Sequence, residues 1–285
     1  MPAHTWAAIE NQYHVWLLTT GYSSDSARLR LANMRLFAAW ATAHRVSIKD
    51  ASHSDVASYL AEQLSRVRQA TAHSRLFTLR CFYRFCCAQG WRKDDPTGAI
   101  RIKRPRHQPK RPLSLEELHR LLAACLTKRD RAIVLVLAAT GVRASELLRM
   151  EARDVGWQDG TVLIHGKGAK ERQVSMGANA LAALQCYVNG HAGRLWLGRG
   201  GKPLGQLGLR ALMLRLGVHA NVAPIGSHRF RVTFANDYLA TGGDIGALQL
   251  LMGHADPEMT VHYAAWTAAE RAFEHQRRYC LADRL

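Results

Sequence analysis

Residues 101–112 have the sequence RIKRPRHQPKRP, and this stretch divides the chain into two parts. It contains six Lys or Arg residues, three prolines and no acidic residue. Proline removes a backbone donor and is incompatible with a helix interior, so the composition predicts an extended linker. A linker of this charge density either lies on the surface in contact with solvent or runs along a row of phosphates. The sequence therefore predicts a folded domain on each side of it.

Residues 1–100, before the linker, show helical periodicity and little alternation at period two. Apolar residues share one face in each of four segments, the second of which follows a capping signal at residues 23–25. The third segment begins near Ser54, and the fourth runs from about Thr71 to a C′ glycine at Gly90. The apolar face of the third segment consists of Val56, Tyr59, Leu60, Leu64 and Val67. This pattern predicts an all-helical domain whose aromatic stripe is core.

Residues 113–285, after the linker, begin with two helical patterns. Ser114 and Glu117 have the spacing of a capping box, which opens a helix through Leu126. A second, buried helix ends at Gly141. Later helical patterns occupy residues 179–187, 206–216, 228–240 and 244–252.

Period-two alternation appears between these helices, at residues 161–165 and 172–176. The two runs flank the Gly- and Lys-containing residues 166–170, which predicts a β-hairpin. The expected fold class is mainly α (α+β), with an all-helical N-terminal domain and a mostly helical C-terminal domain that contains a small antiparallel β-sheet.

The charge of the chain points to a polyanionic partner. The 285 residues include 39 Lys and Arg against 22 Asp and Glu, a formal net charge of +17. Nucleic acid and an anionic membrane surface both qualify as partners. The longest uninterrupted apolar run, residues 132–139, is too short to cross a bilayer, which argues against an integral membrane protein.

The cysteines and the N-terminal residues predict a cytoplasmic protein. The six cysteines include no CxxC pair followed by a second pair, and most fall on apolar helical faces, as reduced core cysteines do. The first twenty residues lack the basic start and solid apolar block of a secretion signal.

Several familiar active-site patterns do not occur in the sequence. Residues 198–202 resemble a phosphate-binding loop, but Pro203 follows the lysine where that loop needs Ser or Thr, so a plain turn is expected. The sequence contains no HExxH, no GxSxG and no Cys/His cluster with metal-ligand spacing. We therefore expect neither a metal nor a cofactor.

The C-terminal part does contain residues of types that bind phosphate or move protons. His228 and Arg231 are three apart, so they share one helix face, where an imidazole and a guanidinium can meet one phosphate. Asp256 and Pro257 predict the start of a short helix that carries Tyr263. The complete set is Arg143, Lys167, His228, Arg231, His254 and Tyr263.

Five motifs that contain these residues occur in the order seen in tyrosine recombinases of the phage integrase and Xer type. They are ATGVRASEL at 139–147, HGKGAKER at 165–172, HRFR at 228–231, LMGH at 251–254 and TVHYA at 260–264. The chain resembles this family over both predicted domains. The resemblance implies a core-binding domain (1–100), the basic linker (101–112) and a catalytic domain (113–285) that close as a clamp around duplex DNA.

The resemblance also implies the chemistry of the site. Tyr263 would attack the scissile phosphate and hold the DNA through a 3′-phosphotyrosine, while Arg143 and Arg231 would bind the non-bridging oxygens. Fixed positive charge at this place stabilises the transition state. The reaction would serve integration, excision or resolution.

The remaining residues of the set would manage protons. Lys167 would protonate the departing 5′-oxygen as the general acid, and His228 and His254 would supply hydrogen bonds and proton transfer to the phosphate and the tyrosine. Neither ATP nor a metal is implied, because the phosphotyrosine keeps the energy of the broken bond.

The implied partners are double-stranded DNA and further copies of the chain, in the bacterial cytoplasm at the nucleoid. The apolar stripe that follows Thr267 predicts a C-terminal helix, which packs either on its own domain or, as in the family, on a neighbouring protomer of a tetramer. The candidate DNA contacts are Arg101, Lys103, Arg104, Arg106, Lys110, Arg111, Lys170 and Arg172.

The chain departs from the family pattern next to the second arginine. Phe230 replaces a common leucine, and Val232 replaces a common histidine, which removes a polar group near the site. Arg229 is a rival to Arg231 as the second clamp residue, although helical phase with His228 favours Arg231. Two other functions remain open: a type IB topoisomerase-like activity and a catalytically silent DNA-binding relative.

Overall fold

The computed structural model describes residues 6–103, 111–166, 170–188, 190 and 192–253. The chain divides into two compact units, Met1–His107 and Gln108–Leu285, each with its own hydrophobic core. The described part of the first unit is helical, and that of the second combines helices with one three-stranded antiparallel sheet. The predicted fold class is confirmed.

The first unit packs its helices around aromatic side chains. The helices are α1 (Trp6–Thr19), α2 (Ser24–Ala43), α3 (His53–Arg66) and α4 (Gln69–Ala88). Tyr13 of α1 meets Phe82 and Phe85 of α4 at ring-centroid distances of 5.4 and 5.2 Å, and all three rings are buried. The aromatic stripe is therefore core, as its helical spacing predicts.

The end of α3 differs from the sequence-based prediction. The helix stops at Arg66, and Val67 is extended with φ −132°, because the chain turns there so that α4 can begin at Gln69. Leu64, predicted to share the apolar face, is 45% exposed, and the buried position in this last turn belongs to Gln63.

The second unit begins with the predicted capping box, in which Ser114 accepts the Glu117 N–H. The helix that follows stops at Ala123 rather than at Leu126, because Thr127 caps the next helix. The helices are α5 (Leu115–Ala123), α6 (Lys128–Thr140), α7 (Ala144–Leu147), α8 (Gly177–Val188), α9 (Gln206–His219), α10 (Ser227–Ala240) and α11 (Ile245–Met252). Residues 198–202 form a turn closed by the bond from Gly198 N to Lys202 O at 2.7 Å.

The sheet has the order β1 (Val155–Gly156), β2 (Thr161–His165) and β3 (Glu171–Ser175). The pair His165 and Glu171 ends the β2–β3 register, so residues 166–170 connect the two strands. β3 begins one residue earlier than predicted. β1 was not predicted, because two residues are too few to show alternation.

The junction after α6 brings α10 close to the start of α7. Gly141 ends α6 in the left-handed conformation with φ +58°. A Cβ on Gly141 would lie 2.5 Å from Cδ1 of Phe234 on α10, so only glycine allows this approach. The contact places the first turn of α10 beside Arg143.

The cysteines are more varied than the sequence predicts. Cys81 and Cys86 are buried in the first unit, whereas Cys186, on α8, is exposed. Among the described residues, no helix combines the length and the apolar character needed to cross a membrane.

Candidate active site

The described ranges include half of the predicted catalytic set, namely Arg143, His228 and Arg231. The other predicted catalytic and linker residues lie outside them: Lys167, His254, Tyr263, Arg104, Arg106 and Lys110. The predicted C-terminal helix also lies outside them.

Arg143, His228 and Arg231 line one pocket of about 270 Å³. Arg143 is the N-cap of α7, whereas His228 and Arg231 lie at the start of α10. The rest of the lining consists of Val142, Ala144, Ser145, Gln206 and Ser227. The fold therefore brings both predicted clamp arginines and a histidine to one cavity from two distant segments.

Two long helices begin at this pocket, α9 at Gln206 and α10 at Ser227. Their N-caps, Gly205 and Gly226, have no side chain with which to satisfy the N–H groups of the first turn. Unsatisfied N–H groups and the positive end of the helix dipole favour a bound anion. The backbone therefore adds to the attraction that the arginines provide for a phosphate.

Arg231 is 3% exposed and is held by backbone carbonyls. Its Nη1 donates to the carbonyl of Gly141 at 2.7 Å, and its Nη2 donates to the carbonyl of Met252 at 2.6 Å. A planar guanidinium that is held by two carbonyls has a fixed orientation. Arg231 is thus oriented before any ligand arrives.

Arg143 is more open, with 37% of its side chain exposed, and it is oriented by Glu146. The backbone N–H of Arg143 donates to Oε2 of Glu146 at 2.9 Å, and its Nη1 donates to Oε1 at 2.8 Å. A further bond joins Nη2 of Arg143 to the carbonyl of Gly253 at 3.2 Å. The Glu146 carboxylate therefore fixes both the backbone and the side chain of the first predicted clamp arginine.

Glu146 itself is charged, although its side chain is only 2% exposed. Burial raises the pKa of this carboxyl, but hydrogen bonds from Arg172 and Arg143 outweigh that effect and lower its pKa to about 2. The carboxylate is thus ionised at any pH at which the protein would act.

Arg229, the alternative clamp residue, makes its hydrogen bonds away from the pocket. Its Nη2 donates to both carboxylate oxygens of Glu117, at 3.0 and 2.8 Å, and its Nε donates to the carbonyl of Arg111 at 3.0 Å. Arg229 is buried and does not line the pocket. The geometry therefore favours Arg231 over Arg229, as helical phase predicts.

The candidate DNA contact Arg172 is placed differently from the expectation. Its side chain is 12% exposed, with Nη2 donating to Glu146 at 2.8 Å and Nε donating to the carbonyl of Leu251 at 2.6 Å. The guanidinium is therefore committed to groups of the protein, and we do not retain it as a DNA contact. The described candidates that are exposed are Arg101, Lys103, Arg111 and Lys170.

The two departures from the family pattern are core residues. Phe230 is fully buried in the main core of the second unit. Val232 is 3% exposed and packs with Leu239, Leu248 and Met252. Neither side chain lines the pocket. Within the described residues, Val232 therefore contributes to core packing at the position where the family commonly has a histidine.

His165 lies at the base of the β2–β3 connection between two carboxylates. Its Nδ1 is 2.9 Å from Oε1 of Glu171, and its Nε2 is 3.1 Å from Oδ1 of Asp154. The bond to Asp154 has the largest effect on the pKa of His165 and raises it; burial opposes this effect, and the bond to Glu171 adds to it, so that the pKa is raised.

Sequence reasoning missed the roles of Glu146, Ser227 and Gln206. Glu146 stands three residues after Arg143, the spacing of a capping box, and this signal could have identified it as the partner of that arginine. Gln206 and Ser227 line the pocket only because their helices converge, which no local pattern shows. Within the described residues, no three His, Cys, Asp or Glu side chains are grouped so as to hold a metal ion.

The sequence profile described as "Phage integrase family" matches residues 111–270, more than half of the chain. This chain belongs to the phage integrase family. The recombinase is 30% identical over 281 residues to tyrosine recombinase XerD of Pseudomonas aeruginosa, covering 93% of this chain and 94% of that protein. It is 32% identical over 286 residues to tyrosine recombinase XerD of Yersinia pestis, with the same two coverages.

The fold of the recombinase is also found among solved structures. A lambda integrase(75–356) dimer bound to a COC′ core site superimposes with a TM-score of 0.72 at 17% identity, covering 90% of this chain and 97% of that chain. This likeness concerns the fold. The family match and the XerD relatives identify the protein as a site-specific recombinase of the tyrosine class.

Proposed function

We propose that this recombinase cleaves and rejoins double-stranded DNA at a specific site through a 3′-phosphotyrosine at Tyr263. The observation that carries the proposal is the pocket in which Arg143, Arg231 and His228 meet the N-terminal ends of α9 and α10. Two guanidinium groups and two helix N-termini match a phosphate diester, whose two non-bridging oxygens need donors on both sides.

The reaction exchanges one phosphodiester bond for another. The Tyr263 oxygen forms a bond to phosphorus, the bond from phosphorus to the 5′-oxygen breaks, and Lys167 gives a proton to that leaving oxygen. Arg143 and Arg231 neutralise the negative charge of the transition state, while His228 and His254 bind the phosphate and manage the tyrosine proton. The reverse attack by the 5′-hydroxyl of a partner strand rejoins the DNA, with no need for ATP or a metal.

The rest of the chain would bind the DNA and other protomers. We assign residues 1–100 to core binding, 101–112 to a linker along the phosphates and 113–285 to catalysis. The exposed Arg101, Lys103, Arg111 and Lys170, with the net charge of +17, support a large phosphate-contact contribution to affinity. We further propose that the C-terminal helix joins protomers into a tetramer on two DNA sites, in the cytoplasm at the nucleoid.

A nicked suicide duplex tests the proposal. The duplex carries a sequence that the wild-type protein selects from a random pool, and a nick beside the cleavage point releases a short fragment and prevents religation. We expect wild-type protein to form a covalent adduct and Tyr263→Phe to bind the same duplex with similar affinity but form none. Binding without any wild-type adduct would instead support a silent DNA-binding relative.

A plasmid relaxation assay distinguishes the recombinase from the remaining alternative, a type IB topoisomerase-like enzyme. A type IB topoisomerase-like enzyme relaxes a plasmid that lacks the selected site, whereas a site-specific recombinase needs two copies of that site and exchanges strands between them. The names of the relatives support the recombinase.

A further inference from the structure

Three consecutive carbonyls at the C-terminal end of α11 each accept a hydrogen bond from a different arginine. The pairs are Leu251 O with Arg172 Nε at 2.6 Å, Met252 O with Arg231 Nη2 at 2.6 Å and Gly253 O with Arg143 Nη2 at 3.2 Å. The last carbonyls of a helix have no partner within it and carry the negative end of its dipole, so they attract cations. The end of α11 therefore holds both proposed clamp arginines and one further arginine.

The further arginine, Arg172, is joined to the clamp by a shared carboxylate. Its Nη1 and Nη2 donate to the two oxygens of Glu146 at 3.3 and 2.8 Å, in the side-by-side arrangement of an arginine and a carboxylate. The same carboxylate accepts two bonds from Arg143. Any rotation of Glu146 that weakens its bonds to Arg172 must also disturb Arg143.

Arg172 also packs against the residue that ends α11. Gly253 is left-handed with φ +60°, and a Cβ there would lie 3.1 Å from Nη1 of Arg172. The guanidinium is thus confined by the backbone of α11 on one side and by Glu146 on another. Its side chain is 12% exposed and does not line the pocket, so it has no direct path to a phosphate bound there.

The position of Arg172 in the chain connects three parts of the proposed site. It lies on β3, the strand that follows the segment containing Lys167, and it binds α11 just before His254 in the sequence. Through Glu146 it reaches Arg143. The Arg172 side chain therefore links β3, the strand that follows the proposed acid, to Glu146 and to the end of α11.

We propose that Arg172 is a positioning residue for strand cleavage, which fixes Glu146 and the end of α11 so that Arg143 and Arg231 meet the phosphate in one geometry. This inference rests on the proposed function. Arginine is required because its planar fork binds both carboxylate oxygens while Nε reaches the Leu251 carbonyl. A lysine has a single charged nitrogen and cannot make this set of bonds.

The test measures covalent-adduct formation and DNA affinity separately, on the selected suicide duplex and with the whole chain. We expect Arg172→Ala to slow adduct formation at saturating DNA by about 100-fold, while the Kd for the duplex changes less than about threefold. Arg172→Lys should recover only a small part of the rate. The matched control is Arg149→Ala, because exposed Arg149 also bonds to the β2–β3 region, at the carbonyl of His165, but not to Glu146.

A double-mutant cycle separates positioning from a general loss of stability. If Arg172 acts through Glu146, Arg172→Ala should slow the reaction by less than about tenfold once Glu146→Gln is already present. Equal slowing in both backgrounds would reject the inference. Thermal unfolding of each variant shows whether it is folded, and Arg172→Lys replaces Arg172→Ala in the cycle if the alanine variant is not.

The pH profile gives a readout that loss of packing would not change. Hydrogen bonds from Arg172 help to hold the pKa of Glu146 low, so their removal should raise that pKa. The rate of the variant should then fall at the acidic end of the pH profile more than the wild-type rate does. A profile with the wild-type shape together with a wild-type rate in Arg172→Ala and Arg172→Lys would overturn the proposal. Absence of any wild-type adduct would instead reject the proposed function, and this inference with it, before a variant is made.

Discussion

Arg229 and Glu117 form a buried ion pair in which one guanidinium nitrogen lies 3.0 and 2.8 Å from the two carboxylate oxygens. Their side chains are only 6% and 10% exposed. We expect Arg229→Ala to lower the free energy of unfolding by about 3 kcal/mol, because it removes the buried partner of Glu117. The carboxylate then keeps only the exposed guanidinium of Arg111, at 2.7 Å, and the backbone N–H of Ser114. Urea unfolding followed by circular dichroism measures this loss.

The matched control for this prediction is an ion pair in the same unit whose arginine is exposed. Arg153 lies 2.9 Å from Glu151 with 82% of its side chain exposed, so Arg153→Ala should cost less than about 1 kcal/mol. Arg229→Ala should also keep covalent-adduct formation at temperatures where it is folded. A stable but inactive Arg229→Ala variant would mean that Arg229, and not Arg231, is the clamp residue.

Arg231→Lys should separate catalysis from binding. The arginine donates to carbonyls of two different segments, and one ammonium group cannot reach both and a phosphate as well. We expect the rate of adduct formation to fall by about 10²–10³-fold, with the salt dependence of DNA binding changed by about one unit at most. Arg210→Lys, an exposed change on α9, is the control. Equal effects of the two variants would remove Arg231 from the clamp.

The pH dependence of His165 should reveal its two carboxylate partners. Both ring nitrogens face acceptors, an arrangement that only the imidazolium form satisfies, so the pKa of His165 lies above its ordinary value of 6.5. The stabilisation from this ion pair is complete below pH 6.5 and is lost as pH rises through the folded-state pKa. NMR titration of the ring protons measures that pKa.

Two variants control the His165 titration. Glu171→Gln should lower the pKa of His165, because it removes one negative partner. Asp159→Asn, which acts on a carboxylate bonded to Thr161 at the other end of β2, should leave it unchanged. A His165 pKa at or below 6.5 in the wild-type protein would show that the two contacts do not persist in solution.

Deletion of residues 271–285 tests the proposed assembly. If the C-terminal helix docks on a neighbouring protomer, the shortened chain should bind a single half-site but lose cooperative binding to a full site and strand exchange. Gel-shift titration and a recombination assay measure the two properties. Retention of both would indicate that the helix packs on its own domain.

The helices and the hairpin could be predicted from the sequence because their signals are local. Capping residues such as Ser23 and Ser114, and the glycine that ends α6, mark boundaries within a few residues. β1 could not be found, since two residues carry no period. Leu64 was misplaced because the choice between it and Gln63 depends on which side of α3 the rest of the unit covers.

The residue types of the candidate site could be predicted from the sequence, but the hydrogen bonds between its residues could not. Motif and helical phase predict Arg143, His228 and Arg231 as site residues, and the structure places the three side chains at one pocket. The position of Arg172 was not foreseen, because its partners Glu146 and Leu251 are distant in sequence and meet it only when β3 packs beside α7 and α11. A basic residue in a strand gives no local sign of whether it faces DNA or a buried carboxylate.

Gly141 lies between the two proposed clamp arginines, Arg143 and Arg231. Because Gly141 has no side chain, Phe234 and α10 can approach the end of α6 closely. The carbonyl of Gly141, which lies two residues before Arg143 in the chain, accepts a hydrogen bond from Arg231. A substitution at this position would change the separation of two charges without altering either of them. We therefore expect the width of the proposed phosphate site to depend on a residue that has no side chain to contribute to the chemistry.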